Sequence, residues 1–235
     1  MVIVANVTDR LIICVDDNYV DQKKVRKTGL ALNPPAFLSD VIHPGPCPEV
    51  WFLPRAVASL SMNRVLIRPA GCQRLDAGVT LAVEMASTIG PGDINVDEAE
   101  AAIGWGRIAL DVVRRDLPAE QAFLARSYPT HTPVASVRTR WRDVPKGADC
   151  VLQLFVNGEL RQRASLATQR ATAAALLTQI ARSVRLSPGD LLLTGTPHGL
   201  AFDGSDQWLG AGDNLVASIG GLGEFAVRVE QEAGQ

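Results

Sequence analysis

The chain has 235 residues, 47% of them hydrophobic and 20% charged, with a formal net charge of −2. That is apolar material for a full core, which excludes a disordered chain, and the near-neutral balance lacks the basic footprint of a nucleic-acid or anionic-membrane binder. Cys14, Cys47, Cys72 and Cys150 stand far apart with no Cys-x-x-Cys pair, so neither a disulfide framework nor a zinc site is signalled, and a cytoplasmic setting is expected.

In chain order, residues 2–15 carry β-branched runs broken at Thr8-Asp9-Arg10, which predicts two short strands and a turn. This start lacks the basic head and unbroken apolar stretch of a signal peptide, and no run reaches the ~18 apolar residues of a membrane span. From 17 to 48 the chain turns polar and then proline-rich, and reads as a lid-like loop. The expected organisation is therefore an N-terminal piece of strands and loop over 1–48 and a core domain over 49–235. Strand patterning returns at 50–54 and 63–69 and continues through the alternating stretch 75–90. Residues 95–117 predict a helix, with Asp97 as its N-cap and an acidic first turn, running into a strand. Residues 151–156 lead into Asn157-Gly158, the strongest hairpin signal in the chain.

A second helix is predicted over 166–184, rich in alanine and leucine, with Leu166, Ala173, Leu177, Ile180 and Val184 on one face. The run Leu191, Leu192, Leu193 is short and bounded by Pro188-Gly189 and by Gly195 and Pro197, as a buried strand would be. Its Thr-Gly-Thr-Pro tip would expose amides and hydroxyls to a small anion; a plain polar turn is the alternative.

Several of these segments, in this order, resemble the fumarylacetoacetate hydrolase family: ICVDDNYVDQ (13–22), LDVVRRDLPAE (110–120), FVNGELRQ (155–162), LSPGDLLLTGTPHGL (186–200) and LGAGDNLVASIGGLGEFAVRV (209–229). VWFLPRAVASL (50–60) and LDAGVTLAVEM (75–85) are most similar to the ligand-poor amino-terminal repeat of the family's homoprotocatechuate-pathway isomerase/decarboxylase. The resemblance implies an α+β, β-rich fold, a mixed β-roll with peripheral helices. It implies a homodimer, or a heteromer with a complete paralogue. It also implies a small-molecule acid as substrate, with Mg or Mn held by three carboxylates to stabilise an enolate.

Carried over residue by residue, the pattern is incomplete, so Mg or Mn is expected to bind weakly or not at all. Asp111 stands at one carboxylate position and is followed by Arg115 and Asp116. The Glu-x-Glu pair falls on Ala82 and Glu84 in one register, leaving Asp111 and Glu84 as metal ligands, or on Gly78 and Thr80 in the other, leaving neither glutamate. The histidine and glutamate that activate water in hydrolytic members fall on Gln22 and Val25, and a lysine falls on Arg126. Asp111, Arg115 and Arg126 are the catalytic candidates; Thr196, Gly195, Tyr19, Gln22 and His131 are the substrate-binding ones. Thr196, Arg126 and Arg115 are expected to meet in one cleft with Asp111 at its floor. His131 and His198 read as structural groups unless they point into that cleft. Two functions compete: a non-hydrolytic enzyme acting on an oxo or enol acid by tautomerisation or decarboxylation, and a non-catalytic structural or regulatory subunit.

Overall fold

A computed structural model of the protein describes residues 10–19 and 50–234. Gln22, most of the lid-like loop and the first of the two N-terminal strands lie outside the described residues. The first half contains β1 (Ile12–Asp16), β2 (Trp51–Arg55), β3 (Leu60–Ser61), β4 (Val65–Arg68), β5 (Leu75–Met85), α1 (Val96–Ala102) and β6 (Ile103–Arg114). Then follow α2 (Ala122–Arg126), β7 (Thr132–Pro133), β8 (Thr139–Arg140), β9 (Val151–Val156), β10 (Glu159–Ser165) and α3 (Ala173–Ala181). The chain closes with β11 (Leu191–Leu193), β12 (Asn214–Ile219) and β13 (Gly223–Gln231). The architecture is α+β and strand-rich, and no helix among the described residues is long and apolar enough to cross a membrane.

The strands form a six-stranded sheet in the order β2-β1-β11-β5-β6-β8 and a five-stranded sheet in the order β10-β9-β12-β13-β4, with β3 and β7 as a small pair. The main core lies between the two large sheets: Val79, Leu81, Val83, Ile108 and Leu110 of the first pack with Leu152, Leu154, Leu215 and Val227 of the second, and with Leu176 and Leu177 of α3. A second, smaller core lies on the opposite face of the six-stranded sheet, where Ile12, Cys14, Ala82, Ala109, Val134, Leu191 and Leu193 meet. With both faces covered, β5 is buried along its whole length. That explains why its sequence carries an apolar side and a side of small or polar residues, Gly78, Thr80, Ala82 and Glu84.

The six-stranded sheet curls over this smaller core. Arg55 on β2 reaches Asp111 on β6, although β1, β11 and β5 separate the two strands in sheet order. In a flat sheet four strand spacings amount to about 19 Å, far beyond an arginine's reach. The small side chains Ala82 and Ala109 leave room for that closure.

Local sequence choices explain where the elements begin. The cap of α1 is Asn95 rather than Asp97: its side chain accepts the Glu98 N–H at 2.9 Å, and the Glu98 carboxylate accepts the Asn95 N–H at 2.9 Å, a reciprocal capping box. The second predicted helix is shorter than its composition suggests. Thr172 caps α3 through the Ala175 N–H at 3.3 Å, and residues 166–168 form a separate 3-10 turn because Ser165 accepts the Ala167 N–H at 3.1 Å. Asn157 and Gly158 both adopt positive φ, 52° and 84°, as the two-residue turn joining β9 to β10 requires.

Candidate functional site

The register of β5 against β6 places the candidate site. Gly78 faces Asp111 directly, Thr80 faces Ala109, and Glu84 faces Trp105. Asp111 therefore has Gly78 as its partner and Thr80 on a diagonal of the same face, while Glu84 lies six residues further along, about 20 Å away. Glu84 and Asp111 cannot share an ion. Of the two alignments open in the sequence, only the one through Gly78 and Thr80 brings the pair beside Asp111, so the expectation of Glu84 as a metal ligand is corrected. Glu84 instead accepts from Arg107 at 2.9 Å and Arg138 at 3.1 Å in a buried ion cluster at the far end of the strands.

Thr196 comes to the same face. A Cβ built on Gly78 would stand 2.9 Å from the Thr196 Cβ and nearer still to its Oγ1, so the threonine fills the space that a side chain at position 78 would take. The turn is held from the second sheet by Gln162, 1% exposed, whose Nε2 donates to Thr196 Oγ1 at 3.2 Å and to the Pro197 carbonyl, while its Oε1 accepts the Val79 N–H at 2.8 Å. Gly195 is required twice over: its φ is +100°, and a Cβ would stand 3.0 Å from the Asn18 Cβ and 3.1 Å from the Val15 carbonyl. Asn18 completes the clamp by donating to the carbonyls of Thr194 at 2.8 Å and Ala171 at 3.0 Å.

Two ion pairs cross the curl beside this turn. Arg55 donates to Asp111 Oδ1, to the His131 carbonyl at 2.8 Å and to Thr132 Oγ1 at 3.0 Å. Arg126, at the end of α2, donates to Asp16 Oδ2 on β1 at 2.5 Å. Burial opposes the Arg126 charge, but Asp16, Cys14 and Asp111 together outweigh it and raise its pKa. Cys14 lies within the same field; burial pushes its thiol pKa up, and Arg55 counters this in part. The cluster is balanced, with two guanidinium groups against two carboxylates.

The remaining candidates divide. Arg115 does not join the cleft: it lies 3.8 Å from Asp76 Oδ2 and its guanidinium stacks 4.7 Å from the Phe202 ring centroid. Asp76 in turn accepts the N–H groups of Ala201 at 3.1 Å and Phe202 at 3.2 Å, so this pair anchors the segment after the Thr-Gly-Thr-Pro turn. His131 is fully buried, with Nε2 against the Ile67 carbonyl at 3.2 Å and its ring packed on Tyr128. Burial lowers its pKa to about 4, so it is a neutral structural group near pH 7. Tyr19 is 2% exposed within the main core, its hydroxyl accepting from Gln169 at 3.1 Å, and burial raises its pKa. His198 pairs with Asp203 at 3.6 Å. Sequence reasoning missed Arg55, Asp16, Asn18 and Gln162; the arginine after Phe-Leu-Pro and the acid after Cys-Val were visible, but nothing local tells that they close a curl.

A Mg or Mn ion needs several oxygen ligands converging on one point. Here Gly78 offers none and Thr196 fills its space, Thr80 is a buried hydroxyl, and Asp111 is engaged by Arg55. Among the described residues no three His, Cys, Asp or Glu side chains form a group that could hold a metal ion. The described residues do not fit the ion.

Comparison with known proteins agrees with the fold. Residues 11–230 match the family model described as fumarylacetoacetate (FAA) hydrolase C-terminal. The chain is similar to the mitochondrial oxaloacetate tautomerase FAHD1 of Rattus norvegicus, 26% identical over 228 residues, covering 94% of this chain and 91% of that protein. It is also similar to the homoprotocatechuate catabolism bifunctional isomerase/decarboxylase of Escherichia coli, 29% identical over 175 residues, 72% of this chain but 38% of that one. Among solved structures, the maleylpyruvate hydrolase of Sphingobium sp. SYK-6 in complex with manganese (II) ion and pyruvate shares the fold, with a TM-score of 0.73 at 22% identity, covering 95% of this chain and 71% of that chain.

Proposed function

The chain belongs to the fumarylacetoacetate hydrolase family, and from that premise we propose that it is a cytoplasmic, non-catalytic member, a structural or regulatory subunit that assembles with itself or with a complete paralogue. One observation carries this reading: Thr196 occupies the space beside Asp111 in which a side chain at position 78 would have to stand. A cation's ligand shell cannot be completed there by rotating a side chain; the turn itself would have to move, and Gln162 and Asn18 pin it. The cluster of Arg55, Asp111, Arg126 and Asp16 satisfies its own charges, so it offers an anionic substrate no net attraction.

The enzymatic reading, a non-hydrolytic step on an oxo or enol acid, draws on a different observation: the oxaloacetate tautomerase aligns with nearly the whole of both chains. One experiment separates them. Oxaloacetate enol, followed by its ultraviolet absorbance with and without the purified protein, is expected to decay at the same rate in both. Decay that scales with protein concentration and disappears in Thr196→Val and Arg126→Gln variants would establish the enzymatic reading instead.

A further inference from the structure

We infer that the Arg55 guanidinium is a built-in replacement for the divalent cation, the fixed positive charge against which Asp111 is held. This rests on the metal-free reading of the site and extends it to the group that takes over the charge. Three carboxylates around a 2+ ion leave one net negative charge. With Gly78 and Thr80 in place of two of them, Asp111 is left as a single buried carboxylate, which a single guanidinium balances. Arg55 is built for that place. It is 3% exposed, and two of its nitrogens are directed at Asp111, the His131 carbonyl and Thr132 Oγ1, the last also bonded to Ser59 Oγ at 2.7 Å. Arg126 is not the surrogate, because its nearest carboxylate is Asp16 at 2.5 Å. A divalent ion added beside Arg55 would set three positive charges against the one carboxylate of Asp111. The pair also has a mechanical consequence: it ties β2 to β6, strands that share no backbone hydrogen bonds, and so fixes the curl.

The test is a cycle of Arg55→Met, Asp111→Asn and the double variant in the full chain, read by thermal unfolding with and without millimolar Mn²⁺. Arg55→Met strands a buried carboxylate and is expected to lower Tm by roughly 10 °C. The double variant, uncharged at both positions, should recover most of that loss. Mn²⁺ should raise the Tm of Arg55→Met, where the place vacated by the guanidinium, away from the space Thr196 fills, offers it the oxygens of Asp111, the His131 carbonyl and Thr132, but not that of the wild type or the double variant. If Arg55→Met does not fold alone, recovery of folded protein in the double variant is the same coupling in another form. Additive losses, a double variant as damaged as Arg55→Met, or an Arg55→Met protein unmoved by Mn²⁺ would overturn the inference. Wild-type protein that responds to Mn²⁺ would instead contradict the metal-free reading on which it rests.

Discussion

Acetylpyruvate supplied with excess Mn²⁺ is expected to be cleaved no faster than in the absence of protein, since the loss of a general base alone usually costs on the order of 10²- to 10⁴-fold and the cation site is lost as well. By resemblance to the family, the positions of its water-activating pair fall on Gln22 and Val25. A glutamine has no proton to exchange near neutral pH, and valine has no polar atom with which to orient it. Neither His131 nor Arg126 can take over. His131 is buried against Ile67 with its pKa pushed down to about 4, and Arg126 keeps its proton throughout the physiological range. Pyruvate release followed by a coupled assay checks this; turnover on the order of 1 to 10³ per second, the ordinary enzymatic range, would refute it.

Glu84→Ala is expected to destabilise the fold by about 3–5 kcal/mol, the range for removing one partner of a buried ion pair. Among the described residues, Glu84 is the one carboxylate paired with Arg107, which is 3% exposed. Burial already works against the Arg107 charge, and Glu84 is the group that sustains it. The loss should therefore exceed that from Arg138→Ala, since Arg138 is 47% exposed at its side chain and holds the same carboxylate at 3.1 Å from the rim. Replacing both Glu84 and Arg107 by apolar residues should recover much of the stability, because the stranded charge disappears with its partner. Urea unfolding of the single and double variants measures all three. A Glu84→Ala protein within about 0.5 kcal/mol of wild type, the range of an ordinary surface substitution, would mean that this cluster does not hold the strand ends together.

The strand content was legible in the sequence because β-branched runs and turn residues act locally: the Asn157-Gly158 hairpin and the Leu191–Leu193 strand form where their residues place them. The helix ends were less legible. Asn95 competes with Asp97 for the cap of α1, and the winner is the residue whose oxygen reaches the N–H three positions on. Ala–Leu richness does not reveal that Thr172 starts α3 late. At the site, the segments that meet were visible in the Thr-Gly-Thr-Pro turn and in Asp111, yet one sequence left the alignment of β5 open. Glu84 looks like a surviving ligand as long as strand register is unknown; pairing with Trp105 rather than with a neighbour of Asp111 removes it from the site. Arg55 and Asp16 were illegible for a different reason. Their partners lie 56 and 110 residues away, and only the curl of the sheet and the end of α2 bring them together.

In the proposed reading, internal ion pairs stand where a divalent cation would be held. Titration of the purified, chelator-treated protein with Mn²⁺ in a calorimeter tests it most directly, with metal analysis of the untreated protein alongside. The expected result is no saturable binding heat and no stoichiometric Mg or Mn retained through dialysis. A saturable site that holds one ion per chain and is lost in Asp111→Asn would contradict the account.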